Sequence, residues 1–160
     1  MDSLTDIRVR PATIDDAEFL VRGNAQLALE TEGVSLDIDR LRSGVHAIFE
    51  DPARGFYLIA EIDGTRVGQM MTTYEWSDWR NGMFWWIQSV YTVLEFRRRG
   101  VFRALYAQAQ ALAKQRGGVC GLRLYVDMHN GRAQETYRRC GMRETTYRMF
   151  EVDNVIPRLR

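Results

Sequence analysis

The order of apolar and polar residues at the start of the chain predicts one short strand and two helices. Residues 7–10 alternate between apolar and basic side chains, as in a strand with one buried face. Thr13, with Asp16 three residues later, has the spacing of a capping box and predicts a helix running toward Glu30. Apolar residues then recur at helical spacing over residues 38–49, which predicts a second helix.

The middle of the chain has the pattern of a sheet. Residues 56–62 and 66–74 are rich in strand-forming side chains and flank the dipeptide Asp63-Gly64, which suits a tight hairpin turn. The polar and aromatic residues 75–82 predict a loop. Residues 83–93 form a long apolar run that predicts a strand in the centre of the sheet.

The last third of the chain predicts two further pairs of helix and strand. Apolar residues recur at helical spacing over residues 101–117, and residues 122–126 follow as a strand. A helix over residues 130–139 and a strand over residues 142–152 complete the order. We therefore expect residues 1–160 to form one α/β domain with helices packed on a mixed sheet.

Composition and charge exclude several classes of function. Twenty-two basic and twenty-one acidic residues leave a net charge of +1, so the molecule as a whole has no field to attract nucleic acid or an anionic membrane. No apolar run approaches the roughly 20 residues of a membrane span, and no signal core opens the chain. The two cysteines lie 20 positions apart without metal-ligand spacing, so we expect a cytoplasmic protein without a metal.

A turn between a buried strand and a helix is the first candidate functional site. The amides at a helix start lie at the positive end of its dipole and bind anions such as phosphate. Gly100 lets the backbone approach a ligand closely. Four arginines add positive charge: Arg97, Arg98, Arg99 and Arg103.

Two other interpretations of this turn must be weighed. An arginine run can simply face water, and charge alone leaves that alternative about even. The glycine-rich fingerprints of nucleotide triphosphatases and of dinucleotide-binding proteins are both absent, which disfavours kinase and dehydrogenase functions.

A second candidate constellation lies on the helix over residues 130–139. Asn130 and Tyr137 are seven positions apart, nearly two turns, and share one face of the helix. A tyrosine stays protonated at neutral pH and can give a proton to a leaving thiolate. A buried tyrosine with a purely structural role is the alternative.

Together these motifs resemble those of the GNAT (Gcn5-related N-acetyltransferase) superfamily over nearly the whole chain. Residues 97–102 (RRRGVF) are similar to the family's Q/R-x-x-G-x-G/A loop, although Phe102 stands where glycine or alanine is usual. Asn130, Ala133 and Tyr137, followed by Gly141-Met142, are similar to its second motif. The resemblance implies a mostly antiparallel sheet, splayed in the middle and flanked by about four helices.

The resemblance also implies acetyl-CoA as cosubstrate and a role for each matching residue. The amides of the loop would hold the pyrophosphate, Val90 and Thr92 would pair with the pantetheine arm, and the Val90 N–H would polarise the thioester carbonyl. Asn130 would bind the cofactor arm, and Tyr137 would protonate the CoA thiolate. The implied cofactor-binding set is Val90, Tyr91, Thr92, Arg97, Arg98, Arg99, Gly100, Val101, Phe102, Arg103, Asn130, Ala133 and Tyr137.

The acceptor implied is a primary amine of a small molecule or peptide, which must lose a proton before it attacks. Glu30, Glu32 and Glu75 are the candidate bases, and as a group they suggest a cationic acceptor. Trp76 and Trp79 would line a substrate cleft or a dimer contact, and we expect a homodimer. The main alternative function is a non-catalytic module that binds acyl-CoA, and a nucleic-acid binder ranks below it.

Overall fold

The computed structural model describes residues 6–156 as two compact units, one up to Tyr125 and one from Val126 onward. The first five and last four residues of the predicted domain lie outside the described residues. In the first unit the strands are β1 (Ile7–Pro11), β2 (Phe56–Ile62), β3 (Thr65–Ser77), β4 (Gly82–Thr92) and β5 (Val119–Arg123). Its helices are α1 (Ala17–Glu32), α2 (Ile38–Glu50) and α3 (Val101–Arg116), and α4 (Gly131–Arg139) belongs to the second unit.

The five strands form one sheet in the order β1-β2-β3-β4-β5. Every neighbouring pair is antiparallel except β4 and β5, which are parallel. The parallel pairing ends where Trp86 meets Arg123, whereas β4 continues to Thr92. The predicted α/β class, with a mixed and mostly antiparallel sheet and four helices, is confirmed, and the strand that parts from β4 is β5 at the edge of the described sheet.

Adjacent residues of β3 show how helices cover the two faces of the sheet. A Cβ atom on Gly68 would lie 2.5 Å from Val101 Cγ1, so α3 begins in close contact with this point of the strand. The next side chain, Gln69, contacts α1 instead. Because successive side chains of a strand point to opposite faces, α1 and α3 lie on opposite sides of the sheet. The contact at Gly68 fixes where α3 starts.

The hairpin between β2 and β3 confirms the turn predicted at Asp63-Gly64, since both residues have positive φ angles, 49° and 74°. The loop predicted over residues 75–82 is shorter in the structure, where only residues 78–81 form the turn. Strand β3 extends to Ser77 and β4 begins at Gly82, because Trp76 pairs with Met83 and Ser77 pairs with Gly82. Backbone pairing across this second hairpin outweighs the polar composition that predicted a loop.

Two predicted strands in the last third of the chain require correction. The strand expected over residues 122–126 is β5 at Val119–Arg123, because the Met83 amide bonds the Gly118 carbonyl at 2.9 Å and pairing with β4 begins directly after it. No strand forms over residues 142–152 in the described part of the second unit. Strand-forming side chains need a partner strand, and here Tyr147, Phe150 and Val152 are exposed.

Candidate active site

A bulge interrupts β4 beyond the point where β5 ends. Gln69 pairs with Tyr91 and Met71 pairs with Gln88, so one residue of β3 faces both Ser89 and Val90. Ser89 has a φ angle of 49°, a conformation that is uncommon for any residue with a side chain. A bulge takes the backbone of its extra residue out of the regular ladder. Polar backbone groups of β4 are therefore left available for a ligand on the side where β5 no longer pairs with it.

The turn that follows β4 has the geometry of an anion site. Arg98 and Gly100 both have positive φ angles, 65° and 88°, and Gly100 precedes α3. The first hydrogen bond of the helix runs from the Ala104 amide to the Gly100 carbonyl at 3.0 Å. A Cβ atom on Gly100 would meet no described atom within 4 Å, so the space above the turn is open. Such a turn at a helix start can hold a phosphate group.

The arginines of this turn have different roles. Arg97 donates to the Thr92 carbonyl at 2.9 Å and to Glu30 at 2.7 Å, and its guanidinium lies over the ring of Tyr91. The guanidinium of Arg97 is therefore engaged by the protein itself. Arg98, Arg99 and Arg103 are exposed, and they leave the turn with a positive surface.

Phe102, the residue that departs from the family motif, stacks on Tyr106 one helical turn later. The ring centroids are 5.9 Å apart with an angle of 17° between the planes. Tyr106 is buried, so Phe102 packs along α3. The residue's bulk is accommodated by the helix, and only the backbone of this position is needed for an anion.

The three candidate bases have different surroundings. Glu30 accepts hydrogen bonds from Gln26 and Arg97, and these outweigh partial burial and lower the pKa of its carboxyl. Glu75 accepts from the Trp86 indole and from Arg123, both at 2.8 Å. Glu32 is exposed at the end of α1. The structure thus brings Glu30 together with the turn before α3 through Arg97, and places Glu75 beside β5.

A network of buried side-chain amides lies behind the bulge and was not predicted from the sequence. Gln69 is fully buried, and its side-chain nitrogen lies 2.7 Å from Asn24 Oδ1 and 3.4 Å from the Ser89 carbonyl oxygen. Asn24 in turn donates to the Tyr57 hydroxyl at 3.2 Å. The available signal was a lone glutamine in the apolar run of β3, a residue type that is rarely buried without a reason.

In the second unit, Asn130 is the N-cap of α4 and Tyr137 lies within this helix, at the positions that the sequence predicts. Asn130 caps the helix by accepting from the Ala133 amide at 3.1 Å. Tyr137 is half-buried, and burial raises the pKa of its hydroxyl above the usual value. A tyrosine with a raised pKa remains a proton donor at neutral pH.

A family model of the acetyltransferase (GNAT) family matches residues 24–142. This match spans the bulge, the anion turn and α4, and it covers well over half of the chain. The chain belongs to the GNAT acetyltransferase family. A search of functionally curated proteins found no match.

Solved structures share this GNAT fold. A possible acetyltransferase from Clostridium difficile 630 is 41% identical, with a TM-score of 0.85 over 94% of this chain and 99% of that one. Aminoglycoside N-acetyltransferase AAC(6')-Iy in complex with CoA is 16% identical, with a TM-score of 0.75 over 97% and 99% of the two chains. A protein described as a predicted acetyltransferase, from Clostridium acetobutylicum and solved with acetyl-CoA, is 17% identical, with a TM-score of 0.74 over 92% of this chain and 96% of that one. For these last two proteins the likeness is one of fold.

Two further findings concern metals and membranes. Within residues 6–156, no group of three or more histidine, cysteine or acidic side chains is arranged to hold a metal ion. No helix in the same residues combines the length and the apolar character that a membrane crossing requires.

Proposed function

We propose that the protein is an N-acetyltransferase that moves an acetyl group from acetyl-CoA to a primary amine by direct attack in a ternary complex. The observation that carries this proposal is that a bulge and an open turn follow each other closely along the chain. The bulge at Ser89 presents backbone beside the parted strands, and the open turn at Gly100 follows eleven positions later. The bulge suits the extended pantetheine arm of a ligand, and the turn suits the pyrophosphate of the same elongated ligand.

The proposed binding roles use mainly the backbone. Val90 and Thr92 pair with the pantetheine arm, as a further strand would, and the amides of residues 98–103 hold the pyrophosphate. Asn130 contributes a contact to the cofactor arm. The likeness of the fold to an acetyltransferase solved with acetyl-CoA supports this choice of cosubstrate.

The proposed reaction needs three contributions from the protein. The acceptor nitrogen attacks the thioester carbonyl carbon, and the Val90 N–H stabilises the negative charge that develops on the carbonyl oxygen. The carbonyl then re-forms as the carbon–sulfur bond breaks, and the sulfur takes a proton from Tyr137, which regains one from solvent. The acceptor ammonium loses one proton to a carboxylate or to water before it attacks, and its nitrogen loses a second proton as the amide forms.

We propose different roles for Glu30, Glu32 and Glu75, because their surroundings differ. The lowered pKa of Glu30 makes it a weak proton acceptor, so we assign it the attraction of a cationic amine. Glu32 and Glu75 remain the candidate bases. The name of the aminoglycoside N-acetyltransferase with the same fold is consistent with a polycationic acceptor.

A turnover assay distinguishes this function from a module that only binds acyl-CoA. The purified protein is given acetyl-CoA and a panel of polyamines, amino acids, aminoglycosides and peptides, and release of CoA thiol is recorded. We expect turnover with at least one amine. Gly100→Asp is the control, because a carboxylate in the open space above the turn repels pyrophosphate and abolishes binding. Binding by the parent without thiol release above background would support the binding module.

We predict that Tyr137→Phe lowers kcat about 100-fold, the contribution typical of a positioned general acid. The affinity for acetyl-CoA, measured by calorimetry, should stay nearly unchanged because the ring is retained. Tyr147→Phe is the matched control, since that exposed tyrosine has no assigned role. Equal kcat values for Tyr137→Phe and the parent would remove the acid assignment.

We further propose that the protein works as a homodimer in the cytoplasm. Trp76 and Trp79 project exposed from the β3–β4 hairpin and are the proposed contact. Light scattering after size exclusion should give twice the mass of the chain, and Trp79→Ser should shift it toward one chain. A parent protein of single-chain mass would contradict the dimer.

A further inference from the structure

Three hydrogen-bond acceptors lie around the side-chain nitrogen of Gln69. Its side-chain nitrogen lies 2.7 Å from Asn24 Oδ1, 3.5 Å from the Leu20 carbonyl oxygen and 3.4 Å from the Ser89 carbonyl oxygen. An amide oxygen placed there would face three oxygens, so only the NH₂ group fits. The orientation of the Gln69 amide is therefore fixed by its neighbours.

The helix α1 is fitted around this glutamine. A Cβ atom on Gly23 would lie 2.2 Å from Gln69 Oε1, so the absence of a side chain at Gly23 makes room for it. Asn24 donates to the Tyr57 hydroxyl on one side, and its carbonyl oxygen faces Gln69 on the other. Gln69 Oε1 itself has no hydrogen-bond partner among the described residues. The Gln69 side chain is therefore held through its nitrogen.

The Ser89 carbonyl belongs to the same peptide group as the Val90 N–H. That group is planar and trans, so the C=O and the N–H point in opposite directions. A donor that draws the Ser89 carbonyl toward α1 therefore directs the Val90 N–H away from α1. The positive φ angle of Ser89 is a conformation that persists only when the surroundings enforce it.

We propose that Gln69 is a positioning residue that sets the Ser89–Val90 peptide plane, so that the Val90 N–H meets the thioester carbonyl. This inference rests on the proposed acetyl transfer. Gln69 touches no substrate. It acts through the peptide group, with Asn24 and Tyr57 holding it in place from behind.

Infrared spectroscopy of bound acetyl-CoA measures directly how strongly the protein polarises the thioester carbonyl. Acetyl-CoA labelled with ¹³C at the thioester carbonyl is bound to the parent and to Gln69→Met, which keeps the length of the side chain but has no donor. In the parent, we expect the carbonyl stretch to move to lower wavenumber on binding. In Gln69→Met we expect that shift to be lost, kcat to fall about 10- to 100-fold, and the KM for acetyl-CoA to stay near the parent value.

A pair of glycine substitutions provides the matched control. Gly23→Ala pushes Gln69 aside without removing it, whereas Gly44→Ala in α2 meets no described atom within 4 Å. Both changes replace a helical glycine by alanine. We expect Gly23→Ala to reproduce the loss of the infrared shift and Gly44→Ala to match the parent. This pair also decides the question if Gln69→Met does not fold.

The outcomes separate the two levels of the proposal. If the parent shows the infrared shift and both Gln69→Met and Gly23→Ala retain it, the positioning role is wrong and the acetyl-transfer function stands. If the parent binds acetyl-CoA without any shift, the Val90 N–H is not the thioester donor and the positioning role of Gln69 is overturned, whereas release of CoA thiol in the turnover assay decides the acetyl-transfer function separately.

Discussion

Two buried polar clusters lie against α1, and they are built on opposite principles. At its N-terminus, the fully buried Asp16 carboxylate accepts from Arg10 at 2.7 and 3.0 Å and from Arg66 at 2.6 Å. The Thr13 amide adds a fourth bond at 2.8 Å, and Glu61 pairs with the remaining edge of Arg10. Both oxygens of the charged group are satisfied, and the cluster ties β1, β2 and β3 to the start of the helix.

The second cluster, around Gln69, is neutral and incompletely satisfied. Its nitrogen shares two protons among three acceptors, and its oxygen has no partner among the described residues. The fully paired cluster adds stability to the fold, whereas the idle oxygen of Gln69 agrees with the positioning role proposed for this side chain. Asp16 and Gln69 are both fully buried, so completeness of pairing distinguishes the two clusters and burial does not.

The largest expected effect is on the charged cluster. Asp16→Asn should lower the free energy of unfolding by about 3 kcal/mol, because it leaves Arg10 and Arg66 without their common buried partner. Urea denaturation measures this loss. Asp15→Asn, one position earlier and exposed, is the matched control and should leave the urea midpoint unchanged. A folded Asp16→Asn protein should bind acetyl-CoA as the parent does, and a selective loss of binding would contradict a purely structural role.

Acid should remove the same contribution. Burial alone would raise the pKa of Asp16, but the hydrogen bonds from Arg10, Thr13 and Arg66 hold it well below the usual range. The stability from this lowered pKa is complete above the unfolded value of about 4 and is lost as pH falls below it. The parent and Asp16→Asn should therefore approach each other in stability as the pH falls from 5 toward 2. A constant difference over that range would show that the charge of Asp16 is not what stabilises the fold.

The sequence predicted the charged cluster in part and missed the neutral one for physical reasons. Thr13 and Asp16 have the spacing of a capping box, which is a local pattern, and the helix did begin there. Gln69 is separated by 45 positions from Asn24 and by 20 from Ser89. No local pattern reports such contacts, since they depend on the packing of a helix onto a sheet.

The candidate site divides in the same way. The anion turn and the helix cap at Asn130 follow from short motifs, and the structure has both. The pairing of Arg97 with Glu30 spans 67 positions and could not be read from an arginine run. The bulge at Ser89 could not be predicted from the sequence either. A glycine often marks such a bulge, but a serine stands here, and its positive φ angle is imposed by neighbouring segments of the chain.

Within the neutral cluster, Tyr57→Phe should have a smaller effect. The change removes the hydroxyl that accepts from Asn24, and we expect a loss of about 1 kcal/mol in unfolding free energy because a buried donor loses its partner. Burial raises the pKa of Tyr57, so its hydroxyl stays protonated and this loss should not vary between pH 5 and 8. kcat should fall less than in Gln69→Met. An equal fall would show that orientation of Asn24, rather than the donor on Gln69, sets the peptide plane.

The smallest effect is expected at an exposed ion pair between α1 and α2. Arg42 donates to Glu18 at 2.9 Å, a distance within the range of those around Asp16, but 40% and 58% of the two side chains are exposed. Water already solvates both charges, so separating them costs little. Arg42→Ala should leave the urea midpoint and its pH dependence as in the parent. A destabilisation as large as that of Asp16→Asn would mean that ion pairing alone, without burial of the carboxylate, accounts for the strength of the charged cluster.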